Sequence, residues 1–247
     1  MIRINRIYNE DCIGKKGMCL IDDKSIDMIL CDLPYGTTAC SWDTIIPFEP
    51  LWEQYKRIIK DKGAIVLFGS EPFSSKLRMS NLSQFKYDWI WDKVRPSGFQ
   101  IAKYVPMKRH EIISVFCKGT PNWNPQKERQ KQVARAQYRR PSGSSPLAYQ
   151  DGKMRIYNDK GPQSILVYTR ETGKKYIHPT QKPSALCSYL IRTYTNEGEV
   201  VLDNCMGSGT TAEACIKNNR NFLGFETEKK YYDIANIRIK ALQWRLF

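Results

Sequence analysis

Apolar residues in this chain gather into short solid runs separated by amphipathic stretches, the alternation of buried strands and covering helices expected of an α/β protein. Ile26-Asp27-Met28-Ile29-Leu30-Cys31 and Ala64-Ile65-Val66-Leu67-Phe68 are the most compact runs. Tyr87 to Trp91, Ile112 to Phe116, Glu199 to Leu202 and Asn221 to Glu226 read as further strands, and Ile2 to Asn9 as a short extended segment ending at Asp11-Cys12. Helical spacing appears at Phe48, Leu51, Trp52, Tyr55, Ile58 and Ile59, and again at Leu186, Tyr189, Leu190 and Ile191. Pro72 to Leu82, Thr210 to Lys217 and Lys229 to Leu246 complete the helices, and Lys93 to Lys108 reads as a loop. No internal repeat and no second apolar core interrupts this order. The expected fold is therefore one Rossmann-like, doubly wound, mostly parallel sheet with an antiparallel hairpin.

From Lys118 to Lys175 the pattern changes to Pro, Gly, Ser, Gln and basic residues without apolar periodicity. That stretch holds 13 Lys/Arg and 4 Asp/Glu, a local charge of +9 out of +14 for the 247-residue chain. Trp123, Tyr138, Tyr149, Tyr157 and Tyr168 are interleaved with the charge, a composition suited to phosphate contact and base stacking. A solvated, partly disordered insertion is the plainer alternative. The chain thus divides into residues 1–117, an insertion at 118–175, and residues 176–247, the outer two parts forming one domain.

Hydrophobic content of 41% indicates a globular protein. No apolar run approaches the ~20 residues of a membrane span and no leader precedes the first strand, so a cytoplasmic location without membrane contact is expected. The eight cysteines lack a Cys-x-x-Cys pair and read as reduced, structural thiols. With only two histidines, His110 and His178, no metal site is expected.

Chemistry concentrates at two strand ends, where ligands of α/β sheets bind. Asp32-Leu33-Pro34-Tyr35-Gly36 follows the first run and sets an acid beside a flat aromatic face. Asp203-Asn204-Cys205-Met206-Gly207-Ser208-Gly209-Thr210-Thr211 has the form of strand end, glycine turn and helix start, with Glu226 closing the next strand. Two ends of different chemistry suggest one site for two ligands. The glycine loop lacks the Gly-Lys-Ser/Thr of a nucleotide triphosphatase, whereas a dinucleotide stays open because Ala212 is tolerated where a third glycine would stand.

Together with His178-Pro179-Thr180-Gln181-Lys182-Pro183, these motifs resemble the S-adenosylmethionine-dependent amino-group DNA methyltransferases in their beta arrangement. In that order a catalytic Asp/Ser-x-Pro-Tyr comes first, a target-recognition segment follows, and the cofactor loop comes last. Nearly the whole chain fits. The resemblance implies the circularly permuted methyltransferase fold, with Asp32 and the Leu33 carbonyl accepting the two N–H groups of an exocyclic amine, Pro34 fixing the turn and Tyr35 stacking on the base. It further implies that Asp203, Gly207, Ser208, Gly209, Thr210 and Thr211 wrap the cofactor, with Asp203 near its ammonium. Glu226 takes the ribose hydroxyls, Thr180 and Lys182 border the methionine carboxylate, and Asp11 and Cys12 meet the adenine edge.

The target base has to leave the duplex to be reached. Lys127, Arg129, Lys131, Arg135, Arg139 and Arg140 of the insertion are the expected DNA contacts. The acid at position 32 favours adenine N6, and cytosine N4 is the nearest alternative; Leu33 stands where a second proline is common. Methylation of a ring carbon is disfavoured because no Pro-Cys dipeptide supplies the thiolate nucleophile. An inactive nucleic-acid-binding relative, a dinucleotide oxidoreductase, and an RNA or protein-glutamine methyltransferase are more distant readings. Double-stranded DNA is the expected partner, and the resemblance adds a homodimer and a cognate restriction endonuclease.

Overall fold

The computed structural model describes residues 2–37, 43–137, 153–171 and 181–243. They form two compact units, one of Met1–Asn124 with Ser164–Phe247, the other of Pro125–Gln163. In chain order the elements are β1 (Arg6–Tyr8), β2 (Ile26–Cys31), α1 (Phe48–Ile58), β3 (Ile59–Gly69), α2 (Phe73–Ser80), β4 (Phe85–Ser97) and β5 (Lys108–Phe116). Then come β6 (Glu128–Gln137), β7 (Lys153–Lys160), β8 (Ile165–Val167), α3 (Ser184–Tyr194), β9 (Val200–Asp203), α4 (Thr210–Lys217), β10 (Asn221–Phe225) and α5 (Lys229–Gln243).

The larger unit is built on a sheet ordered β1-β10-β9-β2-β3-β5-β4-β8. Strands β1 to β3 in that order are mutually parallel, and β5 runs antiparallel to both β3 and β4. Strand β8 closes the far edge parallel to β4. This is the expected doubly wound sheet with its antiparallel hairpin. The runs Met28–Cys31 of β2 and Ala64–Phe68 of β3 are apolar at every position because both faces are covered. Met28, Leu30, Val66 and Phe68 pack with Leu186, Leu190, Ala212 and Ala235 of the helices α3, α4 and α5. Ile29, Cys31, Ile65 and Leu67 point the other way, towards Leu51, Trp52, Tyr55 and Ile58 of α1 and Phe73 and Leu77 of α2.

Two stretches differ from the sequence reading. Strand β4 continues to Ser97 where a loop from Lys93 was expected, because Asp92 pairs with His110 and Ser97 with Lys108. The aperiodic basic segment contains an antiparallel hairpin, β6 with β7, in which Arg129 stands opposite Asp159 and Arg135 opposite Arg155. Both are held by backbone ladders, which leave no apolar signature in the sequence. Among the described residues no helix is long and apolar enough to cross a membrane.

The topology fixes where a site can form. From β2 the chain proceeds to β3 on one side, and from β9 to β10 on the other, while β2 and β9 lie side by side with Met28 opposite Val201 and Ile29 opposite Leu202. The order reverses there, and a crevice opens at the carboxyl ends of these two strands.

Candidate active site

Asp32 is the first residue beyond β2, and both oxygens of its carboxylate are engaged. The Tyr35 hydroxyl donates to Oδ1 at 2.6 Å, and the Lys182 ammonium donates to Oδ2. Lys182, just ahead of α3, also lies 3.5 Å from Oε2 of Glu111 on β5. The other oxygen of Glu111 is 3.4 Å from Lys93 Nζ and 3.3 Å from the Arg170 guanidinium. Oε2 itself is buried and accepts no hydrogen bond.

Three cations therefore surround two carboxylates in a largely water-excluded space. Burial raises the Asp32 carboxyl above its ordinary range, Lys182 opposes that rise, and the charge on Glu111 adds to it. Burial also pushes Glu111 up, but Lys182, Lys93 and Arg170 outweigh it and hold Glu111 below the usual carboxylate range. Desolvation works against the Lys182 ammonium, and Asp32 with Glu111 more than restores it. The walls here are aromatic. Tyr35 packs against Phe73 with ring centroids 5.0 Å apart, and Lys182 Nζ sits 5.2 Å from the centre of the Phe68 ring.

The second wall is built by backbone. Asp203 ends β9, is buried, and accepts the Cys205 N–H at 3.1 Å. Burial pushes its carboxyl up to about 6, against hydrogen bonds from the Thr211 hydroxyl and the Cys205 backbone. The turn that follows requires glycine at two positions, since φ is +54° at Gly207 and +81° at Gly209. A Cβ on Gly209 would also lie 3.0 Å from that of Ala235. Glu226, at the end of β10, holds the turn in place: Oε2 accepts the Gly207 N–H at 2.7 Å and Oε1 the Glu228 N–H at 2.8 Å. Burial raises its carboxyl as well. Asp11 accepts the Ile13 N–H at 3.0 Å, and the Asn204 amide donates to the Cys12 sulfur at 3.5 Å. Burial pushes the Cys12 thiol up to about 12, so it remains a neutral lining group.

Both walls face one cavity of about 650 Å³, a size suited to two organic ligands side by side. Asp11, Cys12, Asp32 to Tyr35, Lys182, Asp203, Gly207, Ser208, Thr210, Thr211 and Glu226 all line it. Gly209 stands behind the turn as the residue before α4. Lys182 lies on Asp32 and Glu111, a placement the sequence reading did not anticipate. Thr180, Arg139 and Arg140 lie outside the described residues. Lys127 and Arg129 belong to the smaller unit, where Lys127 pairs with Asp159 at 2.8 Å; the backbones of Lys131 and Arg135 run within β6.

Sequence reasoning gave no role to the charges of Glu111, Lys93 and Arg170, which also line the cavity. A signal existed for Glu111. It shares a strand face with Ile113 and Val115, both fully buried, and a charge in line with a buried face needs a partner.

A family model described as DNA methylase, N6_N4_Mtase, matches residues 26–237. The chain is 28% identical over 242 residues to type II methyltransferase M.HpaI of Haemophilus parainfluenzae, covering 92% of this chain and 72% of that one. With type II methyltransferase M1.MboII of Moraxella bovis it shares 27% identity over 98% of this chain and 99% of the other. Its fold is similar to that in the crystal structure of the M1.HpyAVI–SAM complex, with TM-score 0.61, 24% identity, and coverage of 94% of this chain and 98% of that one. It is similar also to the PvuII cytosine-N4-specific DNA methyltransferase, with TM-score 0.67, 14% identity, and coverage of 97% and 91%. The family match runs from the strand that delivers Asp32 past the one that delivers Glu226 and spans most of the sequence, and the chain belongs to the N6/N4 DNA methylase family.

Proposed function

We propose that the protein transfers the methyl group of S-adenosylmethionine to N6 of an adenine flipped out of duplex DNA. The observation that carries this reading is the single cavity shared by Asp32 and the Asp203–Glu226 wall. The cofactor fits the residues present. A buried carboxylate raised to about 6 suits a ligand ammonium at Asp203. Each Glu226 oxygen accepts one backbone N–H, leaving lone pairs for a pair of ribose hydroxyls. When bound, S-adenosylmethionine supplies an electrophilic methyl group.

The chain's own residues prepare the nucleophile. An exocyclic amine is weakly nucleophilic because its lone pair is delocalised into the ring. Asp32 and the Leu33 carbonyl hold its two N–H groups, which localises the lone pair and orients the nitrogen. Asp32, made more basic by burial, receives the proton that the amine gives up. Each Asp32 oxygen carries one donor in the free protein and keeps a lone pair for the amine. Glu111 Oε2, 3.5 Å from Lys182 Nζ, gives Lys182 a second carboxylate to lean on as the base enters. Phe68 and Trp91, 6.4 Å apart in edge-to-face contact, wall the base side.

Residues 118–175 supply target recognition in this reading, with Lys127, Arg129 and their neighbours on phosphates. Relatives bearing type II methyltransferase names support a role in a restriction-modification pair, with an endonuclease as the functional counterpart. Cytosine N4 is the second reading, favoured by the likeness to a cytosine-N4-specific structure. Incubation with methyl-labelled S-adenosylmethionine and unmethylated genomic DNA, followed by nucleoside mass spectrometry, separates the two. N6-methyladenine is expected, N4-methylcytosine transfers the mechanism to the second reading, and no labelled nucleoside overturns both.

A further inference from the structure

The β4–β5 hairpin extends past the sheet and carries an apolar tip that the catalytic chemistry leaves without a task. Ser97 pairs with Lys108 at the top of the ladder, and the Ser97 hydroxyl donates to the Lys108 carbonyl at 3.2 Å. Lys93, Ser97 and Lys108 line the catalytic cavity, so residues 98–107 project from its rim. Within them Phe99 is 81% exposed, Tyr104 74% and Ile101 53%, and Val105 and Met107 are exposed as well. A water-facing loop has no use for five large apolar side chains in so short a stretch; such a patch marks a contact surface.

The tip is a built structure. Gly98, at φ +90°, starts a 3-10 turn over Phe99–Ile101, and the N–H groups of Ile101, Ala102, Tyr104 and Val105 are all taken by carbonyls of the tip itself. Its charge selects the partner. From Lys93 to His110 there is no acidic residue; Lys93 and Arg109 pair with Glu111 and Asp92 just outside that stretch, and Arg95, Lys103 and Lys108 are its remaining cations. A second copy of a chain carrying +14 is a poor match for that field, and a polyanion is a good one.

We infer that the Phe99–Tyr104 tip is a wedge that enters duplex DNA at the target position and fills the space the flipped base vacates, with Arg95 and Lys103 on the flanking phosphates. This rests on the DNA reading above. Apolar side chains inserted between base steps stabilise an unstacked duplex, and extrusion costs a few kcal/mol that an unpaired target largely escapes. The tip therefore contributes most when the target base is paired.

The test compares kcat/KM on a duplex carrying the unmethylated target site with kcat/KM on the same duplex mismatched at the target base. For the double variant Phe99→Ala/Tyr104→Ala, the paired-to-mismatched ratio is expected to fall at least tenfold, with S-adenosylmethionine affinity by calorimetry unchanged. Phe99→Trp, which keeps the bulk, retains the wild-type ratio. Equal loss on both duplexes overturns the wedge, as does a loss that accompanies dissociation of a dimer in sedimentation, which would assign the tip to a second copy. A wild-type protein that methylates no DNA overturns the reading beneath it and the wedge with it; an active wild type with an unchanged ratio in the variant overturns the wedge alone.

Discussion

The two walls of the cavity hold their carboxylates by different means. On the glycine-loop wall, Asp203 and Glu226 are fixed chiefly by backbone N–H groups of Cys205, Gly207 and Glu228, two to nineteen residues away, with the Thr211 hydroxyl also on Asp203. On the opposite wall, Asp32 and Glu111 are held by side chains, and the Lys182–Asp32 contact spans 150 residues of chain. Backbone donors cannot change partner without unfolding the turn, so the first wall is preorganised for a ligand that is the same in every turnover. Side-chain donors can re-pair. The second wall suits a site whose contents change as a base enters and leaves.

The sharpest way to break this contrast is Asp32→Ala. Methyl transfer should fall by about 10²–10⁴-fold, the range for a positioned proton acceptor, while cofactor affinity by calorimetry stays near wild type. Retained turnover would remove the second wall's chemical role.

Next in size is Lys182→Met, which removes the cation shared by half-buried Asp32 and buried Glu111. A loss in denaturant unfolding below the about 3–5 kcal/mol of a fully buried broken pair is expected, because Lys93 and Arg170 stay on Glu111. The pH profile carries the more specific sign. Asp32 acts when ionised, so activity is lost as pH falls through its pKa. Lys182 lowers that pKa and Glu111 raises it, so Lys182→Met should move the acid limb to higher pH and Glu111→Gln to lower pH. Movement of both in one direction would refute the network.

The first wall is tested through Asp203. Its folded pKa of about 6 lies above the ordinary 3.8, so the folded state keeps its proton longer than the unfolded one. Stability contributed by this group is therefore present at low pH and lost as pH rises from 3.8 to 6. A bound ammonium reverses the preference. S-adenosylmethionine affinity should rise towards pH 6, by up to about tenfold per unit, and level off above it, with the slope abolished in Asp203→Asn. Calorimetry at three pH values decides it. The smallest effect lies in the separate hairpin unit: Arg129→Ala should reduce the salt slope of duplex binding by about 0.9, the loss of one phosphate contact.

Local chemistry was readable from the chain. A buried strand covered on both faces is a solid apolar run, which located β2, β3 and the two motif-bearing strand ends. Gly207 and Gly209 announce a turn of positive φ, and Glu226 closes the next strand within reach of it. Ladder-held elements were not readable, because a strand paired through its backbone, such as the end of β4 or the β6–β7 hairpin, need not alternate apolar residues. The cationic cluster around Glu111 was also hidden, since Lys93, Arg170 and Lys182 come from separate segments and each alone resembles a surface residue.

By itself the sequence determined the order of the apolar strands and the helices, the presence of two strand-end motifs and the concentration of positive charge, because these depend on residue type and short spacing. Only the tertiary structure decided that both motifs open into one cavity, that Lys182 lies on Asp32, and that the hairpin tip projects from the rim. The first two depend on segments distant in the chain becoming neighbours, as β2 and β9 do, and the third on the β4–β5 ladder; backbone pairing of either kind leaves no periodic trace in the sequence.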